Sequence, residues 1–262
     1  MRVLIADGSS AVRQLLTRLL RQEGYDVAAE AADGAHLLEL LEQKLPEIVF
    51  LDQTLPNCNP VAMVDELHRK VPNLSIVMLT ADADPGLRIA AAQAGAAGFL
   101  LKPFSQGQVL EEMKQVAHAH HTLKQLRTTA PATAIAGRHR VVIADDSAAL
   151  RRLLRAILEQ CDCTVVAEAD NGQSAVKLTL EHKPDLLCLD VEMPIMTGIE
   201  ALMKIHQAAP QVPVMMITSR GDKDTVKQAA AGGARGYILK PYQPEKVTEA
   251  LRRLFSSTVT TP

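Results

Sequence analysis

The amino-acid sequence predicts two α/β domains in tandem, each a doubly wound sheet of five parallel strands with helices on both faces. Three observations carry that prediction. The chain of 262 residues repeats itself. Within each half, short apolar runs alternate with stretches of helical period. Acidic, hydroxyl and lysine residues fall at the ends of the apolar runs, where ligands of open parallel sheets gather.

The repeat is read first because it organises everything else. "VLIADGSS", from Val3, returns as "VVIADDSA", from Val141. Asp7 matches Asp145, Asp52 matches Asp190, Thr80 matches Thr218, Phe99 matches Tyr237 and Lys102 matches Lys240, always 138 positions apart and without a gap. The domains are placed at 1–121 and 139–262. A helix extension and a linker are expected over 122–138, where "TTAPATAIAGR" is rich in small residues and lacks a helix period. Each half is long enough to bury its own core.

The elements follow in order. Val3 to Ala6, Ile48 to Leu51, Ile76 to Leu79 and Gly98 to Leu101 are continuous apolar runs, as buried parallel strands are. Val12, Leu15, Leu16, Leu19 and Leu20 recur at three-and-four spacing, a helix opened by Ser9 or Ser10. Ser105 and Gln108 form a capping box ahead of Val109, Met113 and Val116. That helix is expected to run past Ala117 and to carry His118, His120 and His121 at a solvated end rather than in a metal site. The second half reads as strands at Val141 to Ala144, Val165 to Ala169, Leu186 to Leu189, Val214 to Ile217 and Tyr237 to Leu239. Strands joined through helices imply right-handed crossovers and a sheet covered on both faces.

Composition narrows the function. Net charge is −2, Trp is absent and aromatics are scarce, so the basic and stacking surfaces of a nucleic-acid binder are not expected. Cys58, Cys161, Cys163 and Cys188 form neither a C-x-x-C pair nor a zinc spacing, which suits a reduced, cytoplasmic chain. Cys188 reads as inert core. No apolar run approaches the ~20 residues of a membrane span, and no signal peptide precedes "MRVLIAD". Arg151, Arg152 and Arg155 form either a solvated face or a docking site for an acidic partner.

In the second half, Asp145 and Asp146 end the first strand, Asp190 the third, Thr218 and Ser219 the fourth and Lys240 the fifth. Three neighbouring carboxylates repel one another, so they need raised pKa values or a cation. A hard oxygen cage with room for water suits Mg²⁺.

Each half resembles the receiver domain of two-component response regulators, the flavodoxin-like domain of the single-domain chemotaxis regulator. The acidic pair, Asp, Thr, aromatic and Lys-Pro, in order and at spacing, make that resemblance specific. It implies that Asp190 accepts a phosphoryl group from a histidine kinase or histidine phosphotransfer protein, as a carboxylate nucleophile. It implies Mg²⁺ on Asp145, Asp146, Asp190 and the backbone carbonyl of Glu192. Lys240 and Thr218 would stabilise the phosphoryl group, and Tyr237 would turn inward when Thr218 moves. The chain would then catalyse only its own phosphorylation and dephosphorylation, signalling to a downstream protein or an attached effector domain. Lys102-Pro103 and Lys240-Pro241 are expected to be cis.

The first half departs from the pattern. Gly8 stands at the place of Asp146, while Asp7, Asp52, Thr80, Phe99 and Lys102 remain. A unit charge ~4 Å away is worth up to ~4 kcal/mol in gross Coulomb terms at an effective dielectric near 20. Pro60 also stands where the second half has Gly198. The first half is therefore expected to be a degenerate receiver, poor in metal and slow or unable to take phosphate. The alternatives are that both Asp52 and Asp190 are phosphorylated, or that the chain is the input of a longer regulator with an effector such as a cyclase. A flavin protein would need a Ser/Thr/Gly phosphate loop, which "ADDSA" would oppose. A phosphatase would need D-x-D, which Asp190-Val191-Glu192 matches only in part.

Overall fold

The computed structural model describes residues 1–81, 85–126, 138–218 and 223–256. The linker expected before Arg138 falls almost wholly outside them, as do Ser219 and the end of the chain from residue 257. The chain folds as two compact units, the first comprising Met1–Ala117 and Ser147–Ala149 and the second the remainder from His118 onward.

The first sheet comprises β1 (Arg2–Ala6), β2 (Asp26–Ala31), β3 (Ile48–Asp52), β4 (Ser75–Thr80) and β5 (Gly98–Leu101). Its helices are α1 (Ser10–Gln22), α2 (Gly34–Lys44), α3 (Pro60–Lys70), α4 (Pro85–Gln93) and α5 (Gln106–Leu126). Strand order is β2-β1-β3-β4-β5, all parallel. All of β3 and β4 is buried, because helices cover both faces of a central parallel strand. β2 is not a continuous apolar run: it is an edge strand, mostly half-buried, of sequence DVAAEA. The sequence therefore implied it only through the repeat.

The second sheet comprises β6 (His139–Ala144), β7 (Cys163–Ala169), β8 (Leu186–Asp190), β9 (Val214–Thr218) and β10 (Gly236–Leu239). Its helices are α6 (Ala148–Gln160), α7 (Gly172–His182), α8 (Gly198–Ala208), α9 (Lys223–Ala231) and α10 (Pro244–Ser256). Strand order, read from β7, repeats that of the first sheet. Even the irregularity recurs, since the β1/β2 register shifts after Val3 and the β6/β7 register after Val141.

Local signals act as their chemistry requires. Ser9 caps α1, its side chain accepting from the Val12 N–H. Ser105 accepts from the Gln108 N–H while the Gln108 side chain accepts from the Ser105 N–H, so the expected box opens α5. On α1, Leu16, Leu19 and Leu20 are buried, but Leu15 is exposed, the apolar stripe being narrower than the leucine spacing suggested. Both Lys-Pro bonds are cis.

The arginines of α6 are drawn inward. Arg151 is buried, donates to the Asp145 carbonyl oxygen at 2.6 Å and pairs with Glu168, to which Arg155 donates at 2.6 Å. Arg13 makes the same contacts in the first half, with the Asp7 carbonyl oxygen and Glu30. These arginines hold the end of the first strand of each sheet. Among the described residues, no helix is long and apolar enough to cross a membrane.

Candidate functional site

In each sheet the chain moves from the first strand to opposite sides, to β2 and β3 or to β7 and β8. The loops after β1 and β3, and after β6 and β8, diverge there and leave a crevice at the carboxyl edge. Asp7 and Asp52 follow or end β1 and β3; Asp145 and Asp190 follow or end β6 and β8. Lys102 and Lys240 arrive from the last strands, their backbone N–H groups donating to the Thr80 and Thr218 carbonyl oxygens.

The second crevice holds an acidic cluster. One carboxylate oxygen from each of Asp145, Asp146 and Asp190 lies within 4.8 Å of the others, the only such group of potential metal ligands among the described residues. Asp145 and Asp190 are buried. Lys240 Nζ lies 2.8 Å from both Asp145 Oδ2 and Asp190 Oδ2. One lysine thus pairs with two of the three clustered carboxylates. Burial, then the neighbouring Asp145, pushes the Asp190 carboxyl well above the ordinary carboxylate range, against the pull of Lys240. Burial alone would lower Lys240, but Asp145 and Asp190 prevail and its ammonium is held above the ordinary lysine value. Hard oxygen donors carrying excess buried negative charge are the donor set that a divalent cation such as Mg²⁺ relieves.

The first crevice is closed by its own side chains. Lys102 Nζ lies 2.6 Å from Asp7 Oδ2 and 2.8 Å from Asp52 Oδ1. The Ser9 N–H donates to Asp7 Oδ1 at 2.8 Å. The Thr54 hydroxyl donates to Asp52 Oδ2 at 2.7 Å. All four carboxylate oxygens therefore accept a hydrogen bond from this chain. The Thr80 hydroxyl donates to Gln53 Oε1. Burial alone would lower Lys102, but its hydrogen bonds to Asp52 and Asp7 prevail and hold it above the ordinary lysine value. Gly8 adds no carboxylate, and a Cβ built there would meet Pro56 Cδ at 3.2 Å.

The loop after Asp190 explains the departure at Pro60. A Cβ on Gly198 would come within 1.8 Å of the Asp190 carbonyl oxygen, so glycine lets α8 start directly against the Asp190 backbone. Thr197 caps that helix with a complete box to Glu200. In the first half, Pro60 begins α3 behind the cap Asn59.

Two contributors were not legible in either half alone. Thr54, at the position of Glu192, reads as a loop residue. Tyr242, at the position of Phe104, reads as core, yet it is buried and donates to Asp145 Oδ2 at 3.0 Å. Reading those positions at the 138-residue offset is the signal that finds them. Tyr237 is 55% exposed, whereas Phe99 is partly buried against the first core. The Glu192 side chain is exposed in the turn after β8. Cys188 is buried, its thiol pushed up to about 12 by that burial, as inert core would be.

The response regulator receiver domain matches twice, at residues 3–114 and 141–252. The chemotaxis protein CheY of Bacillus subtilis is 41% identical over 115 residues, 44% of this chain and 96% of that protein. CheY of Halobacterium salinarum is 41% identical over 111 residues, 42% of this chain and 92% of its own. Among solved structures, the response regulator domain of Thermotoga maritima CheB is 34% identical, with a TM-score of 0.42, covering 48% of this chain and all of that one. The chain belongs to the response regulator receiver family, carrying two CheY-like receiver domains in tandem.

Proposed function

We propose that the second receiver takes a phosphoryl group on Asp190 and that the first is a pseudo-receiver whose role is regulatory or structural. The observation that carries this reading is the contrast between the crevices: a cluster of three carboxylates, two of them paired with one lysine, against two carboxylates that share one lysine with Gly8 in place of the third acid.

In this reading Asp145, Asp146, Asp190 and the Glu192 carbonyl hold Mg²⁺, which when bound neutralises charge on the phosphoryl oxygens. An Asp190 carboxylate oxygen attacks phosphorus. The O–P bond forms as the N–P bond of the donor phosphohistidine breaks, and the imidazole leaves with the electron pair. Lys240 moves from the carboxylates to a phosphoryl oxygen, as a point charge does without directional loss. Thr218 turns its hydroxyl to the same group, and Tyr237, now exposed, follows into the space vacated. The surface around β10 changes and a partner reads it. The donor is a histidine kinase or histidine phosphotransfer protein, and the reader is a downstream protein or an effector domain.

Beryllofluoride with Mg²⁺ tests this in the full chain. Nuclear magnetic resonance shifts are expected at Ile217, Thr218, Tyr237 and Lys240, with Leu79, Thr80, Phe99 and Lys102 unmoved. Shifts confined to Leu79, Thr80, Phe99 and Lys102, around Asp52, would overturn it.

A further inference from the structure

Both receivers place an aromatic residue directly after the Lys-Pro pair, Phe104 in the first and Tyr242 in the second. Phe104 is half-buried, whereas Tyr242 is fully buried and carries a hydroxyl into the acidic pocket. Tyr242 is fully buried, so its polar tip needs a partner. That partner is Asp145 Oδ2, at 3.0 Å, the same oxygen that Lys240 Nζ approaches to 2.8 Å.

We propose that Tyr242 is a positioning residue for the metal-binding carboxylate Asp145. The inference rests on the reading above that this pocket holds Mg²⁺. Two donors fix one oxygen of Asp145, which sets the plane of the carboxylate and the direction of its other oxygen. The two donors are not equivalent. Lys240 is shared with Asp190 and is drawn away by phosphoryl charge, so it cannot hold Asp145 through the reaction. Tyr242 has a single hydroxyl proton, and it is given to Asp145. Being neutral, it also orients the carboxylate without adding positive charge beside a divalent cation. A hydrogen-bonded second layer of this kind typically contributes 10- to 100-fold in metal affinity.

Mg²⁺ titration of the full chain by calorimetry distinguishes the cases, with wild type, Tyr242→Phe and Asp146→Asn compared. Tyr242→Phe keeps the ring and removes only the hydroxyl that donates to Asp145. Mg²⁺ is expected to bind wild type, to bind Tyr242→Phe about 10-fold more weakly, and to lose the site in Asp146→Asn. In phosphorylation by acetyl phosphate, the half-saturating Mg²⁺ concentration should rise by the same factor while the rate at saturation stays within about twofold; a merely structural role would not produce that split. Tyr242→Phe binding within twofold of wild type would overturn the role of Tyr242 and leave the metal site standing. Wild type that binds no Mg²⁺, or binds it undiminished in Asp146→Asn, would overturn the metal reading and this inference with it.

Discussion

Gly8 supplies no carboxylate, and the two that remain are hydrogen-bonded by Ser9, Thr54 and Lys102. Ser9 and Lys102 occupy both Asp7 oxygens, and Thr54 and Lys102 occupy both Asp52 oxygens. Restoring the third acid is backbone-compatible, because Gly8 lies outside the left-handed region and only Pro56 must yield by a few tenths of an ångström. In an Asp146→Asn background, Gly8→Asp should raise Mg²⁺ affinity at the first site several-fold, and Gly8→Asp with Thr54→Ala should raise it further by freeing an Asp52 oxygen. Equal affinities for the single and double variants, by calorimetry, would show that Thr54 does not hold the site closed. At this scale the sequence was legible where a residue type is itself chemical: the aspartates, the lysines and the missing acid. It was opaque where an ordinary threonine or tyrosine acquires its role from a neighbour 2.7 or 3.0 Å away.

The elements were legible to the extent that burial was continuous. β3 and β8 are buried at every position and read directly as strands. β2 escaped because an edge strand shows a mixed face, and only its counterpart β7 drew attention. The start of α8 joins element to site. Gly198→Ala should force that helix away from Asp190, since its Cβ would overlap the carbonyl oxygen. A cost on the order of 1–3 kcal/mol is expected from such overpacking, together with weaker Mg²⁺ binding; unchanged hydrogen exchange in α8 would contradict this. Thr197→Ala removes the cap but not the fit, and should cost about 1 kcal/mol, read as faster exchange in the first turn of α8 with Mg²⁺ binding retained.

Among the described residues, one buried cluster gathers around Leu4, Val49 and Leu51 and another around Val142, Leu187 and Leu189. Two compact units favour two unfolding transitions rather than one. Mg²⁺ should raise only the transition of the second receiver, by about 2.7 kcal/mol at a hundredfold excess over its dissociation constant. Scanning calorimetry checks this, and Asp146→Asn should remove the effect. The duplicated architecture was readable because an unbroken offset fixes both copies at once. How differently the copies use their carboxylates was not, because it depends on contacts between residues up to 97 positions apart. The most direct measurement is intact mass after incubation with Mg²⁺ and acetyl phosphate, on wild type, Asp52→Asn and Asp190→Asn. One phosphoryl group on wild type and on Asp52→Asn, with none on Asp190→Asn, is the predicted result. Two groups on wild type, or a group that survives Asp190→Asn and vanishes in Asp52→Asn, would contradict it.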